Sequence, residues 1–231
     1  MSKNLFKRIA TSLVLFIILL IVIFSHNIIF IISLFALCGL VCFEAYSIFK
    51  KMINKNKPKI HKNNKKKEFN NKLLFLNVVT FLYVFLIFFY LSYQIYIIEG
   101  PIFFLLIISV CFFSDLGGYF VGKSIGGKKL TKISPKKTIS GTIGSFIFSL
   151  IPFFIIVQLA YLDLKVNFTT VLLIILISFV TQLGDLFISF LKRKAKIKDT
   201  GKILPGHGGI LDRVDGIIFA LPFSYFILKI I

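Results

Sequence analysis

The sequence predicts an all-α, polytopic integral membrane protein with about seven transmembrane helices. Hydrophobic residues make up 57% of the 231 residues, with 29 Phe and no Trp, which is far above the usage of soluble domains. Several uninterrupted apolar runs reach about 20 residues, the length of a helix that spans a bilayer. The 28 Lys and Arg outnumber the 9 Asp and Glu and lie mostly between these runs. Together the three observations exclude a soluble globule.

Seven apolar runs account for the predicted helices, and eight or nine is the alternative count. They cover roughly residues 9–25, 28–49, 73–93, 101–122, 139–161, 169–191 and 210–231. The first run is longer than the core of a signal peptide and has no small-residue cleavage site. We therefore expect it to be retained as the first arm of a helical hairpin.

Basic residues are distributed asymmetrically across these runs. All Lys and Arg except Lys165 and Lys229 fall on the side that holds the N-terminus. By the positive-inside rule that side is the cytoplasm. The bias towards Phe, Ile, Lys and Asn is typical of an AT-rich bacterial genome. We therefore expect a multi-pass protein of the bacterial inner (plasma) membrane with a cytoplasmic N-terminus.

The formal net charge of +19 is explained by this topology and by contact with anionic headgroups. Membrane lipids are therefore expected partners, and nucleic acid is not. Residues 50–72 are rich in Lys and poor in apolar residues, so they predict a basic, solvated cytoplasmic linker. We divide the chain into N-terminal membrane helices, residues 1–98, and a C-terminal membrane domain, residues 99–231.

Acidic side chains concentrate near the cytoplasmic ends of three runs in the C-terminal domain. They are Asp115, Asp185, Asp199, Asp212 and Asp215. Carboxylates within a membrane layer usually face a cavity or a partner and are functional. Two of them about 4 Å apart repel by roughly 4 kcal/mol at an effective dielectric of 20, so the cluster requires positive charge nearby. The catalytic site is therefore expected on the cytoplasmic side.

Two sources of positive charge remain open for this cluster. Hard carboxylates beside Gly and Lys favour magnesium, because zinc would need more His or Cys than His207 provides. The alternative is a structural ion network with basic residues of the same segments. Those residues are Lys192, Arg193, Lys198 and Arg213.

A second basic segment has the composition of a phosphate-binding surface. Residues 117–124 read GGYFVGKS and formally fit a nucleotide-binding phosphate loop. That loop should follow a buried strand, whereas here the residues close an apolar run, so we reject this interpretation. The run Ser134-Pro135-Lys136-Lys137-Thr138 adds cations just before the next helix. A solvated charge run is the alternative.

Residues 189–215, SFLKRKAKIKDTGKILPGHGGILDRVD, resemble the signature of the phosphatidate cytidylyltransferase family. Upstream blocks around Asp115, Ser134 and Asp185 also resemble this family, and the likeness covers about residues 110–220. Two positions depart from it, because the family commonly has Glu where this chain has Ser140 and Ile188. We assign neither residue to the site.

The resemblance implies a polytopic enzyme that transfers the cytidylyl group of CTP to phosphatidate, giving CDP-diacylglycerol and pyrophosphate. It implies that one or two Mg²⁺, or one Mg²⁺ with a monovalent ion, are held by Asp185, Asp212 and Asp215. Further catalytic residues implied by the resemblance are Lys192, Arg193, Lys198, Asp199 and Arg213. Substrate-binding residues implied by it are Asp115, Tyr119, Lys123, Ser134, Lys136, Lys137, Thr138, Ser189, His207, Gly208 and Gly209. A homodimer is plausible from the family alone.

Three other functions were weighed against this one. A CTP-dependent polyprenol kinase-like transferase remains open. An alcohol phosphotransferase that consumes CDP-diacylglycerol is excluded, because Phe219-Ala220 stands where its motif needs Ala-Arg. An ion transporter should carry acids across the whole membrane. Here the outer half offers only Glu99 and Asp163, and Glu44 is isolated near the inner end of the second run.

Overall fold

The protein is helical throughout the part of the chain that the structure describes. The computed structural model describes residues 3–55, 63–131, 134–159, 166–201, 203–204 and 208–229. Its α-helices are α1 (Lys3–Phe24), α2 (Asn27–Lys55), α3 (Asn63–Leu82), α4 (Tyr90–Ile98), α5 (Gly100–Ser124), α6 (Ile139–Gln158), α7 (Phe168–Lys194), α8 (Leu211–Val214) and α9 (Ile217–Leu228). A π-helical stretch, Tyr83–Phe89, joins α3 to α4. Two isolated β-bridges are the only extended pairings in these ranges. The predicted all-α class is confirmed.

Five stretches among the described residues are long and apolar enough to cross a bilayer. They are Asn27–Asn54, Phe69–Ile98, Gly100–Ser124, Ile139–Gln158 and Phe168–Lys194. Thr11–Phe24 is apolar but shorter. The chain therefore has the helices of a multi-pass membrane protein, and the predicted count of seven is not confirmed.

The last predicted run, residues 210–231, is interrupted in the structure. The short helix α8 ends at Val214, and α9 begins at Ile217 and has 12 residues. Residues 230–231 lie outside the described part of the chain. Twelve helical residues rise about 18 Å, less than the roughly 30 Å of a hydrocarbon core. The carboxylate of Asp215 accepts a hydrogen bond from the backbone N–H of Gly216 at the junction between the two helices.

The segment predicted as a basic linker, residues 50–72, is helical at both of its ends. α2 continues to Lys55 and α3 begins at Asn63, while residues 56–62 lie outside the described part. Adding a residue to an existing helix costs far less than starting one, and Lys is a good helix former. Basic residues at the ends of the apolar runs can therefore extend both helices.

Packing divides the chain into two units, which we call the first and the second unit. The first unit comprises Met1–Phe89 and Leu191–Val214, and the second comprises Tyr90–Phe190 and Asp215–Ile231. This division differs from the boundary expected at residue 98. Residues 191–214 belong to the same unit as the N-terminal helices. A single domain boundary in the sequence could not predict this grouping.

The core of the first unit near its basic segments is built by α2 and α3. Ala45, Phe49 and Leu73 are buried together. Phe69 and Leu191 pack against this cluster from α3 and from the end of α7. Burial of such side chains stabilises by roughly 1.5–3 kcal/mol each, so the end of α7 is attached to the first unit by apolar contact as well as by polar contact.

In the second unit, α5 and α6 pack with their backbones in contact. A Cβ atom on Gly117 would overlap the carbonyl oxygen of Gly144, and one on Gly141 would lie 2.7 Å from the carbonyl oxygen of Gly118. Small residues allow such close approach between membrane helices, where van der Waals packing drives association. The contact fixes the start of α6 against the end of α5.

We expect Gly144→Ala to destabilise the second unit. The added methyl group would overlap Val121 Cβ and the Gly117 carbonyl oxygen, neither of which can move without shifting a helix. Overpacking of this kind costs about 1–3 kcal/mol. The apparent melting temperature in detergent should fall by about 2–4 °C for each kcal/mol. Gly39→Ala is the matched control, because no atom lies within 4 Å of its added Cβ. Equal melting temperatures for the two variants would contradict the close contact.

Candidate functional site

Asp185 forms an ion pair with Lys137 in the second unit. Lys137 Nζ lies 2.6 Å from Asp185 Oδ2, and the two side chains are 25% and 26% exposed. Ser189 Oγ donates a hydrogen bond to Asp185 Oδ1 at 3.3 Å. These residues are four apart on α7, so one turn of helix brings both side chains to the same face, as their spacing predicts. The Asp185 carboxylate is therefore bound by Lys137 and Ser189 and is still partly exposed at the protein surface.

The segment before α6 holds Lys137 in place. The N–H of Leu130 donates to the carbonyl of Lys137 at 2.9 Å, and the N–H of Lys137 donates to the carbonyl of Ser134 at 3.0 Å. A β-bridge pairs Lys129 with Thr138. The backbone of this basic segment is therefore ordered up to the first turn of α6, which positions the ammonium group for Asp185. Residues 132–133 lie outside the described part.

Thr138 is the N-cap residue of α6, so its hydroxyl has a structural role. Its Oγ1 accepts a hydrogen bond from the N–H of Gly141 at 3.1 Å, the usual arrangement for a threonine N-cap. Ser140, one of the two departures from the family pattern, donates from its hydroxyl to the carbonyl of Gly126. Ile188, the other departure, is a buried core residue, 6% exposed. Both substituted positions therefore have structural roles.

Asp212 lies in the first unit and is held by four donors. Lys192 Nζ lies 2.7 Å from Asp212 Oδ1, with side chains 14% and 8% exposed. Asp212 Oδ2 accepts from the N–H of Thr200 at 2.8 Å and from the N–H of Gly209 at 3.1 Å. The Thr200 hydroxyl also lies 3.0 Å from this oxygen. The pair with Lys192 is the internal ion pairing that the sequence left open as an alternative to a metal.

The pKa of Asp212 lies below its ordinary value. Burial opposes ionisation and would raise the pKa of this carboxyl. Hydrogen bonds from Lys192 and from the N–H groups of Thr200 and Gly209 favour the charged form and outweigh burial. Asp212 is therefore a carboxylate at neutral pH.

Glu44 of α2 is a functional candidate that the sequence analysis set aside as isolated. Its carboxylate is 2% exposed. It accepts hydrogen bonds from the Thr200 hydroxyl at 2.7 Å and from the N–H groups of Ile210 and Leu211 at 3.0 and 2.9 Å. The signal that could have found it was a single acid inside an apolar run, which is costly without partners. Its partners are more than 150 residues away, so the sequence pattern could not supply them.

The remaining predicted site residues are distributed over both units. Asp215, 8% exposed, lies in the second unit, and its carbonyl packs against Gly184 of α7. Lys123 Nζ lies 5.6 Å from the centre of the Tyr119 ring on α5. The exposed ones are Asp115, Tyr119, Lys123, Lys136, Arg193, Lys198, Asp199 and Arg213. Because residues 117–124 are helical, the rejection of a phosphate loop there is confirmed.

Two described residues before α8, Leu204 and Gly208, pair through their backbones. Leu204 and Gly208 exchange two backbone hydrogen bonds at 2.9 and 3.2 Å. Gly208 has φ +88°, which only glycine adopts easily, and an added Cβ would lie 3.0 Å from Asp212 Oδ2. His207 falls between these residues and lies outside the described part, so its predicted role stays a prediction.

The predicted metal ligands are placed in different units, Asp212 in the first and Asp185 with Asp215 in the second. Among the described residues, no group of three or more His, Cys, Asp or Glu is arranged to hold a metal ion. The donor chemistry nevertheless fits Mg²⁺. Asp185 Oδ1 and Asp212 Oδ1 each accept one hydrogen bond from the described residues, so each carboxylate retains lone pairs. The metal site stays a prediction.

Comparison with known proteins assigns the chain to a family. A profile of the cytidylyltransferase family matches residues 46–231, which include both lysine-bound aspartates. The chain belongs to the cytidylyltransferase family. This membership confirms the family expected from residues 189–215.

Curated bacterial relatives of this cytidylyltransferase family member match about half of the chain. The phosphatidate cytidylyltransferase of Bacillus subtilis (strain 168) is 46% identical over 118 residues, which are 51% of this chain and 44% of the relative. The phosphatidate cytidylyltransferase of Staphylococcus haemolyticus (strain JCSC1435) is 49% identical over 116 residues, 49% of this chain and 44% of the relative. That of Synechocystis sp. (strain ATCC 27184 / PCC 6803 / Kazusa) is 41% identical over 117 residues, 49% of this chain and 38% of the relative. The similarity therefore spans less than half the length of these relatives.

Proposed function

We propose that the chain transfers the cytidylyl group of CTP to phosphatidate, giving CDP-diacylglycerol and pyrophosphate for phospholipid synthesis. The observation that carries the proposal is the pair of lysine-bound aspartates, Asp185 with Lys137 and Asp212 with Lys192, in a chain of the cytidylyltransferase family. The names of the relatives supply the two substrates.

The proposed reaction is an in-line displacement at phosphorus. A phosphate oxygen of phosphatidate attacks the α-phosphorus of CTP, the bond from that phosphorus to the β-bridging oxygen breaks, and pyrophosphate leaves. Catalysis then consists of positioning and of electrostatic stabilisation by groups fixed before the substrates bind. Lysines whose ammonium groups are already oriented by carboxylates, as in Lys137 and Lys192, meet this requirement.

The proposed cofactor is Mg²⁺, one or two ions, or one with a monovalent ion as the second. When bound, Mg²⁺ would neutralise phosphate charge. Asp185 and Asp212 would hold it, with Asp215 as a further ligand. Cations of the first unit, Lys192, Arg193, Lys198 and Arg213, would bind phosphate groups, with Asp199 nearby. In the second unit the proposed substrate-binding residues are Asp115, Tyr119, Lys123, Ser134, Lys136, Lys137, Thr138 and Ser189, and in the sequence before α8 they are His207, Gly208 and Gly209.

The proposed location is the bacterial inner membrane, with about seven spans and with the N-terminus and the site on the cytoplasmic side. Support comes from the positions of the basic residues, which lie near the ends of the apolar helices on one predicted side. CTP is a cytoplasmic nucleotide, and the phosphate of phosphatidate lies at headgroup depth. The proposed partners are therefore CTP, phosphatidate and membrane lipids, with a homodimer as a further proposal.

An assay with two labels tests this function. Purified protein in detergent receives Mg²⁺, either phosphatidate or a polyprenol, and CTP labelled either in the cytosine ring or in the γ-phosphate. We expect the ring label to enter the lipid product, with release of one pyrophosphate for each lipid formed. Transfer of the γ-label to a polyprenol instead would identify the kinase alternative. Absence of ring label from lipid at saturating CTP and phosphatidate would overturn the proposal.

A further inference from the structure

Glu44 is a buried acidic side chain in the first unit that the proposed chemistry does not use. It lies within the candidate span Asn27–Asn54 and is 2% exposed. No ion pair involves it among the described residues, and its carboxylate is instead satisfied by one hydroxyl and two backbone N–H groups. Burying a carboxylate costs free energy unless the carboxylate is hydrogen-bonded. The same hydrogen bonds fix the positions of the groups that donate them.

The partners of Glu44 are the two ends of one segment, residues 200–211. Thr200 is at the start of the segment, and the N–H groups of Ile210 and Leu211 are at its end. Added Cβ atoms on Gly201 and Gly209 would overlap the Glu44 carboxylate oxygens, so two glycines are required for the backbone to close around it. One carboxylate from α2 therefore bonds Thr200 at the start of the segment and Ile210 and Leu211 at its end.

The same segment holds Asp212. The Thr200 hydroxyl lies 2.7 Å from Glu44 Oε2 and 3.0 Å from Asp212 Oδ2, and its single proton serves one carboxylate at a time. The N–H groups of Thr200 and Gly209 donate to Asp212 Oδ2. Every described donor to Asp212 Oδ2 therefore belongs to a residue that contacts Glu44.

We propose that Glu44 is a positioning residue that orients Asp212 by holding Thr200 close to Ile210 and Leu211. The structural consequence of this inference, the position of Asp212, rests on geometry alone. Its kinetic consequence, an effect on the rate of transfer, rests on the proposed function. Glu44 precedes residue 46, where the match to the family profile begins. Its role is therefore not implied by the family match and follows from the hydrogen bonds of this chain.

Hydrogen exchange tests the structural consequence without reference to activity. Glu44→Gln keeps the shape of the side chain but turns an NH₂ group towards N–H donors. We expect backbone amides of Ile210 and Leu211 to exchange at least about tenfold faster in this variant, while amides of α6 are unchanged. Glu99→Gln, at an exposed residue of the second unit, is the matched control and should leave both regions unchanged. Unchanged exchange at Ile210 and Leu211 in Glu44→Gln would overturn the proposal.

Kinetics test whether the link through Thr200 matters for transfer. Thr200→Val removes the hydroxyl with little change of shape, whereas Thr200→Ser retains it. We expect Thr200→Val to lower kcat at least about tenfold while the protein stays folded, and Thr200→Ser to stay within about threefold of wild type. Combining Glu44→Gln with Thr200→Val should cost little more than either change alone, because both break one hydrogen-bonded chain. Multiplicative losses, or equal losses for Val and Ser, would overturn the proposal.

These outcomes separate the inference from the proposed function. If wild-type protein forms no CDP-diacylglycerol, the proposed function fails, and the exchange experiment still decides whether Glu44 holds the segment. If wild type is active and exchange is unchanged, the inference alone fails. If Glu44→Gln does not fold, Thr200→Val replaces it in the exchange experiment, because it keeps the two backbone hydrogen bonds to Glu44. Faster exchange at the Thr200 and Gly209 amides then supports the proposal, and unchanged exchange there overturns it.

Discussion

Asp185→Asn is expected to lower kcat/KM for cytidylyl transfer by at least about 100-fold, or roughly 2.7 kcal/mol of transition-state stabilisation. Asparagine keeps the size of the side chain and can still accept from Ser189, but it loses the charge that orients Lys137 at 2.6 Å. It also loses the hard anionic oxygens that the proposed Mg²⁺ prefers. The measurement is the steady-state rate of lipid labelling at saturating Mg²⁺.

The protein should remain folded in this variant, because the lost pair is a quarter exposed and such pairs contribute little to stability. Size-exclusion profile and melting temperature in detergent check this, with Glu99→Gln as the control for a lost surface carboxylate. Reversing the pair, with Lys137→Asp and Asp185→Lys together, separates a structural role from a chemical one. Recovery of activity in the reversed pair, or more than about a tenth of wild-type rate in Asp185→Asn, would remove Asp185 from the proposed ligands.

Asp212→Asn is expected to lower kcat/KM for cytidylyl transfer to a similar degree and also to destabilise the first unit. The carboxylate accepts from Lys192 and from two backbone N–H groups, and an amide in its place turns an NH₂ group towards some of these donors. Lys192 then keeps its charge at 14% exposure without its carboxylate partner. Hydrogen bonds to charged groups contribute about 1.5–3 kcal/mol each, so the melting temperature should fall as well as the rate.

Lys192→Met is the comparison that interprets this result. It removes the ammonium group but leaves Asp212 with its N–H donors from Thr200 and Gly209. We therefore expect a large loss of rate with a smaller loss of melting temperature than in Asp212→Asn. If Asp212→Asn loses stability but retains more than about a tenth of the wild-type rate, the carboxylate is structural and the ion-network interpretation of this cluster is correct.

The sequence predicted the long apolar helices well, because the length of an apolar run is a local property. The expected runs 101–122 and 169–191 correspond closely to α5 and α7. It failed where helices end. Residues 210–216 read ILDRVDG, with three charged residues and a glycine. The predicted run 210–231 passed over this polar signal, which marks the break between α8 and α9, where Asp215 accepts from the N–H of Gly216.

The sequence predicted which types of residue form the candidate site, but it did not predict most of the contacts between their side chains. Spacing placed Ser189 beside Asp185 because both lie on one helix. The pairing of Lys192 with Asp212 was among the predicted alternatives, since both belong to one signature segment. The contact between Glu44 and Thr200 joins residues 156 positions apart, and only the folded chain brings such residues together.

The glycine contact between α5 and α6 has a consequence for how the second unit responds to its surroundings. With no side chain between Gly117 and Gly144, neither helix can roll or slide along the other without breaking backbone contact. A change in bilayer thickness, which helices accommodate by tilting, therefore reaches them as one rigid body. Lys137 lies two residues before α6, so we expect the ammonium group that faces Asp185 to move with these two helices when they tilt.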